Sequence, residues 1–96
     1  MTSTEFIENA KMTVAGIMEL ELGINVPQEQ IQLVWFAHEL GHKKCTMYAP
    51  EMGPHYAEVT YNRDKNEMYI DIYKKVLNLR KVYPDFTKET CHTMSH

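Results

Sequence analysis

Apolar residues near the start of the chain recur every three or four positions, which is the spacing of one face of an amphipathic helix. Thr2 and Glu5 have the spacing of a capping box, in which each side chain accepts from the other residue's backbone N–H. Gly23 suits the left-handed residue that ends a helix, and Pro27 lies just beyond it. The sequence therefore predicts a helix over residues 4–22. Its apolar face comprises Phe6, Ile7, Ala10, Val14, Ile17 and Met18.

Residues 31–39 are compatible with either a helix or a strand. Pro27 and Glu29 could open a second helix, whereas Val34-Trp35-Phe36 is a run of strand-forming residues in a stretch with a period of two. We favour a strand that ends at Leu40-Gly41, a dipeptide that could make a two-residue turn. The partner strand would then be Lys43–Tyr48. The prolines and glycine of residues 49–54 predict a loop after it.

A second hairpin is predicted over residues 56–73. Tyr56–Tyr61 and Met68–Tyr73 both alternate apolar and polar side chains, and the polar stretch Asn62–Asn66 joins them. Val76–Val82 either prolongs the last strand or begins a helix. Phe86–His96, after Pro84-Asp85, is predicted to be a short helix.

These elements predict an α+β fold in a single domain, residues 1–96. A long N-terminal helix would pack on an antiparallel sheet of three or four strands, with a short helical tail at the C-terminus. Trp35, Phe36 and Tyr61 are expected to lie in the core rather than on a stacking surface.

Composition excludes few function classes. The chain has 96 residues, a formal net charge of −3 and 44% hydrophobic residues, which is ordinary for a globular domain. It has no apolar run long enough to cross a membrane, and its acidic, amphipathic start does not resemble a secretory signal. We therefore expect an intracellular protein. Two cysteines far apart in sequence are not expected to form a disulfide there.

Cationic residues are frequent between Arg63 and Lys81, where they could meet a phosphate backbone or an acidic partner. Asp64, Glu67 and Asp71 are interleaved with them, which favours an ordinary solvated surface. Tyr69 and Tyr73, if they face solvent beside the neighbouring lysines, would make a protein-contact patch.

The stretch His38-Glu39-Leu40-Gly41-His42 matches the H-E-x-x-H signature of zinc peptidases. That chemistry requires a helix, so that both imidazoles share one face, and a third protein ligand. Cys45 and Tyr48 stand where one peptidase class has glycine and histidine. On the strand interpretation His38 and His42 flank a turn and face opposite sides of the hairpin. We therefore do not expect a catalytic site.

A structural zinc site is the stronger metal hypothesis. His42 and Cys45 have the spacing of a ligand pair, and Cys91, His92 and His96 form a second cluster in which the two histidines share a helix face. Thiolate and imidazole ligands together favour zinc. Such a site would pin the tail to the first hairpin and stabilise a small domain. The alternatives are buried, unreactive thiols and a solvated tail.

Part of the chain resembles a family of small uncharacterised proteins encoded by phages and prophages of Gram-positive bacteria. The resemblance covers about residues 31–75, and the run E-V-T-Y-N-x-D-K-x-E-x-Y is its most distinctive part. It implies that residues 34–42 form strand, turn and strand, and it implies no catalytic residues. His38-Glu39 and the Cys/His-bearing tail depart from the family pattern. The matching segments are Val34-Trp35-Phe36, Leu40-Gly41, Lys44, residues 56–62, residues 64–67 and residues 69–75.

Small prophage proteins of this streptococcal type include inhibitors of the type II CRISPR effector nuclease, and the chain is similar to a zinc-containing member of that anti-CRISPR class. The resemblance therefore implies a non-enzymatic phage protein, in the cytoplasm of the infected bacterium, that binds and inhibits a host defence protein. A nucleic-acid-binding accessory protein is the main alternative, and a miniature metallopeptidase is a lesser one.

Overall fold

The computed structural model describes residues 1–77 and 79–83 and has one long helix followed by four strands. Short 3₁₀ turns at Gln28–Gln30 and Pro50–Met52 lie in the connections. The helix and the strands are α1, Ser3–Leu22; β1, Gln32–Glu39; β2, His42–Tyr48; β3, His55–Asn62; and β4, Glu67–Lys74. The predicted helix, both hairpins and the α+β class are confirmed, and the sheet has four strands.

The ends of α1 follow directly from the sequence. The Thr2 hydroxyl accepts from the Glu5 N–H at 3.0 Å, and the Thr2 N–H donates to Glu5 Oε1 at 2.7 Å. Gly23 ends the helix at φ 66°. The predicted capping box and glycine stop are both confirmed.

The sheet is an antiparallel meander in the order β1-β2-β3-β4. In its register Phe36 lies opposite Cys45, Cys45 opposite Val59, and Val59 opposite Ile70. Residues directly opposite each other point to the same face of a sheet. This cross-strand row therefore lies on a single face, which is apolar.

Helix α1 covers that apolar face. Its buried residues Phe6, Ala10, Val14 and Met18 form one core with apolar residues of β2 and β3. Each large side chain buried there contributes roughly 1.5–3 kcal/mol. From the sheet and the loops the buried apolar residues are Val26, Ile31, Cys45, Met47, Ala49, Met52, Ala57, Val59 and Tyr61.

A β-bulge changes the direction of the side chains in β1. The register shifts between Leu33, which pairs with Met47, and Trp35, which pairs with Thr46. Val34 and Trp35 together therefore oppose Thr46 and lie on the face away from α1. The expectation that Trp35 belongs to the core is wrong, because its side chain is 52% exposed. Tyr61 is buried as expected, and Phe36 packs at the edge of the core.

The chain leaves the sheet after Lys74. Residues 75–77 and 79–83 belong to neither helix nor strand, so the two alternatives for Val76–Val82 are wrong for those positions. The predicted helix Phe86–His96 lies outside the described residues, and so do the tail residues predicted to bind a metal, Cys91, His92 and His96. In the part of the chain that the structure describes, no helix is long and apolar enough to span a membrane.

The Leu40-Gly41 turn supplies a test of the fold. Gly41 has φ 85°, and a Cβ there would meet the Arg63 side chain at 2.5 Å. We expect Gly41→Ala to lower the free energy of unfolding by about 1 kcal/mol or more, because an L side chain is strained in that conformation. Urea denaturation measures the change.

Gly16→Ala is the matched control. Gly16 lies within α1, and a Cβ at this position would point into open space, with no neighbouring side chain within 4 Å. This substitution should raise the free energy of unfolding by about 0.5–1 kcal/mol. Equal stability of the two variants would contradict the turn geometry.

Candidate functional site

The H-E-x-x-H stretch folds as strand, turn and strand. Leu40 and Gly41 both have positive φ, 53° and 85°, as a tight two-residue hairpin turn requires. His38 lies opposite Lys43, whereas His42 lies opposite Glu39. Because Lys43 is buried on the helix side, His38 and His42 are on opposite faces. The stretch does not have the geometry of a zinc-peptidase helix.

His42 connects the two turns at this end of the sheet. Its Nδ1 accepts from the Arg63 N–H at 3.1 Å, and its Nε2 lies 3.7 Å from Asp64 Oδ2. The Arg63 guanidinium also donates to the Leu40 carbonyl at 3.2 Å. Both imidazole nitrogens therefore face partners from the β3–β4 turn, and these contacts hold the two turns together.

Cys45 lies on the other side of the same strand. Its side chain is fully buried in the core under α1. Burial raises the pKa of the Cys45 thiol to about 11, and this effect outweighs a hydrogen bond with the Val59 backbone that lowers the pKa. A thiol kept neutral in an apolar core is chemically inert.

The structure does not bring His42 and Cys45 together. They are three positions apart on β2, and an odd separation places two side chains on opposite faces of a strand. Cys91, His92 and His96 lie outside the described residues. Within residues 1–77 and 79–83, no group of three or more His, Cys, Asp or Glu side chains is placed to hold a metal ion. The zinc site therefore stays a prediction.

The face of the sheet away from α1 is the most distinctive surface of the described chain; we call it the open face. Large aromatic side chains point outward from two of its strands: Trp35 is 52% exposed, Tyr69 46% and Tyr73 42%. The alternation of β2, β3 and β4 places polar and aromatic side chains together on this face. Its residues are Gln32, Val34, Trp35, Ala37, Glu39, His42, Lys44, Thr46, Tyr48, Tyr56, Glu58, Thr60, Asn62, Glu67, Tyr69, Asp71 and Tyr73.

A groove of about 370 Å³ crosses one end of the open face. Val34, Tyr48 and Tyr56 supply aliphatic and aromatic lining, and Pro54 and Lys75 also line it. The Tyr48 hydroxyl donates to the Gly53 carbonyl at 2.9 Å, which fixes the loop that borders the groove. The groove is therefore a preformed, largely apolar part of the open face.

The electrostatics of the open face are dominated by carboxylates around tyrosines. Glu58 and Asp71 raise the pKa of the Tyr73 phenol, because a nearby negative charge opposes its ionisation. The Tyr69 hydroxyl donates a hydrogen bond to Glu67, which stabilises the neutral phenol and raises the pKa of Tyr69. The Lys44 Nζ atom lies 3.6 Å from Glu58 Oε2, so its positive charge offsets part of this negative charge.

The cationic stretch Arg63–Lys81 does not form one patch. Arg63 is held at the β3–β4 turn, while Lys74 and Lys75 lie at the opposite end of β4. The Lys81 ammonium lies over the Tyr83 ring, 5.1 Å from its centroid. The contact patch expected around Tyr69 and Tyr73 does face solvent, but its close charged neighbours are acidic.

Sequence reasoning missed the exposed position of Trp35 and the groove beside it. The alternation of residues 31–37 placed Trp35 with Ile31 and Leu33, and one extra residue in the strand reverses that assignment. Nothing in the composition of β1 marks the bulge. The tyrosines of β4 could be found, because their alternation with Met68, Ile70 and Ile72 separates the two faces.

Residues 7–83 match a family of unknown function (DUF6275), and the chain belongs to that family. A comparison with curated proteins found no match. A comparison with solved structures found no match either. The matched range contains most of the helix and all four strands, so the open face lies within it.

The position of Cys45 predicts slow thiol labelling. In the Cys91→Ser variant, with a metal chelator present, Cys45 should react with a thiol reagent at neutral pH far more slowly than in denaturant, because the thiol is buried and its thiolate is scarce. Absorbance of the released chromophore measures the rate.

Labelling of the wild-type chain, which keeps all five candidate zinc ligands, separates the two roles proposed for Cys45 when mass spectrometry identifies which cysteine is modified. Labelling that is slow with and without chelator supports the core placement. Labelling that becomes fast only after chelation would instead make Cys45 a metal ligand and would contradict its position under α1.

Proposed function

We propose that the protein acts without catalysis, by binding another protein through the open face. The observation that carries this proposal is the set of large aromatic side chains, Trp35, Tyr69 and Tyr73, that the sheet holds in solvent opposite α1. Tryptophan and tyrosine supply much of the binding energy at protein interfaces, because they bury a large area with few rotatable bonds.

The shape of the open face suits a protein partner. Four paired strands give a broad platform, and the groove lined by Tyr48 and Tyr56 offers a concave site for a partner side chain. A typical stable interface buries roughly 800 Å² on each partner, which a platform of this kind can supply. Trp35 and Tyr69 lie on the two edge strands, β1 and β4, so contacts with both would define the orientation of a partner.

The specific form of the proposal is inhibition of a bacterial defence protein by a phage-encoded protein. The resemblance of residues 31–75 to phage and prophage proteins supports it. The proposed target is the type II CRISPR effector nuclease, and the proposed effect is to block target-DNA loading or the domain movement that permits cleavage. Such an inhibitor would act in the cytoplasm of the infected host, with a zinc ion stabilising its tail.

The two other functions have less support. Nucleic-acid binding needs a continuous basic surface, whereas the cationic residues between Arg63 and Lys81 are dispersed and the open face carries carboxylates. Peptidase chemistry needs His38 and His42 on one face, and the hairpin separates them.

The proposal predicts which surface substitutions weaken binding to a guide-loaded streptococcal type II effector. Trp35→Ala and Tyr69→Ala should each weaken binding and inhibition of DNA cleavage roughly tenfold or more, as expected for aromatic anchors at an interface. Leu20→Ala is the control, since Leu20 is 79% exposed on α1. Titration calorimetry and a cleavage assay measure both effects.

Two outcomes would contradict the proposal at different levels. If the wild-type chain neither binds nor inhibits any streptococcal type II effector, the proposed target is wrong. If it binds, but Leu20→Ala weakens binding while the Trp35 and Tyr69 variants do not, the open face is not the interface.

A further inference from the structure

Most of the charged side chains on the open face are negative. Its carboxylates come from β1, β3 and β4, while Lys44 supplies the one ammonium group among the strand residues that form the face. The carboxylates are those of Glu39, Glu58, Glu67 and Asp71. Lys75, which lines the groove, lies beyond the end of β4. The centre of the open face is therefore negative.

Glu58 and Asp71 are an unfavourable pair in the isolated chain. They lie directly opposite each other on β3 and β4, where like charges repel. Lys44 is close to Glu58, but Asp71 has no ion-pair partner among residues 1–77 and 79–83. A cationic group from outside the chain would relieve this repulsion.

The aromatic neighbours of this pair suit the same kind of group. Tyr73 stacks on Tyr56 with ring centroids 5.3 Å apart, and its hydroxyl lies 3.5 Å from Glu58 Oε1. Tyrosine rings flanked by carboxylates attract guanidinium groups through cation–π contacts and charged hydrogen bonds together. Tyr69 and Glu67 repeat this combination at the start of β4, where the Tyr69 hydroxyl donates to the Glu67 carboxylate.

We infer that the partner bound by the open face presents a basic protein surface, with arginine or lysine side chains lying over β3 and β4. This inference rests on the proposed function and adds the chemistry of the partner. Charge complementarity selects a basic protein over a nucleic acid, since phosphates would be repelled by the carboxylates of Glu58, Glu67 and Asp71.

The test uses the full chain and a labelled oligoarginine peptide, with oligoglutamate and a DNA duplex as the other probes. Fluorescence anisotropy measures affinity at low salt, and backbone amide shifts in NMR spectra locate the contact. The variant Glu58→Gln/Asp71→Asn removes the opposed carboxylates without changing side-chain size. Glu19→Gln/Glu21→Gln makes the same change in net charge at two exposed positions of α1.

We expect the peptide to shift amides of β3 and β4, and the Glu58→Gln/Asp71→Asn variant to bind it roughly tenfold more weakly while the α1 variant binds as wild type. This variant should fold about as stably as wild type, because the loss of the Glu58–Asp71 repulsion offsets the loss of the exposed Lys44–Glu58 ion pair. A loss of affinity caused by misfolding would be recognised by its unfolding curve.

Three results would overturn the inference: equal weakening by both double variants, peptide shifts confined to α1, or tighter binding of DNA than of the peptide. Failure here is separable from failure of the proposed function. If Trp35→Ala weakens binding to the effector while Glu58→Gln/Asp71→Asn does not, the open face remains the interface and only the charge of the partner is wrong.

Discussion

The packing of one amphipathic helix against one face of the sheet determines the rest of this structure. Phe6, Ala10, Val14 and Met18 form a single stripe on α1, and the sheet presents a matching apolar row through Cys45 and Val59. A single helix covers a single face. The face that α1 covers therefore determines which side chains of each strand pack in the core and which remain in contact with solvent.

The open face is a consequence of that division, and its composition is what distinguishes it from an ordinary solvated surface. A sheet exposed on one side commonly carries polar side chains there. Here the outward positions include Trp35, Tyr69 and Tyr73, and like charges at Glu58 and Asp71 oppose each other. Both features are unfavourable in the isolated chain. A partner that buries the aromatic side chains and neutralises the carboxylates would make both favourable.

Local sequence rules predicted most of the fold. The capping box at Thr2 and Glu5, the Gly23 stop and the Leu40-Gly41 turn are short-range signals whose physics is contained in a few residues. The period of two in Tyr56–Tyr61 and Met68–Tyr73 fixed the second hairpin, because a slip by one residue would expose Val59 and Ile70.

The sequence could not place Trp35, since the bulge depends on pairing with β2. Nor could spacing alone show that His42 and Cys45, both in β2, face opposite sides; that required the strand assignment to be settled first.

The exposure of Trp35 tests the open face most directly, because Trp35 is the one tryptophan in the chain and intrinsic tryptophan fluorescence reports on it alone. The measurement is acrylamide quenching of the full-length protein over a range of protein concentrations, with the denatured chain as the reference. If Trp35 lies on an open face, quenching is efficient and emission is red-shifted in the free protein, and a bound partner shields Trp35 and shifts its emission to the blue. A Trp35 that is already shielded in the free, monomeric chain would contradict an open face.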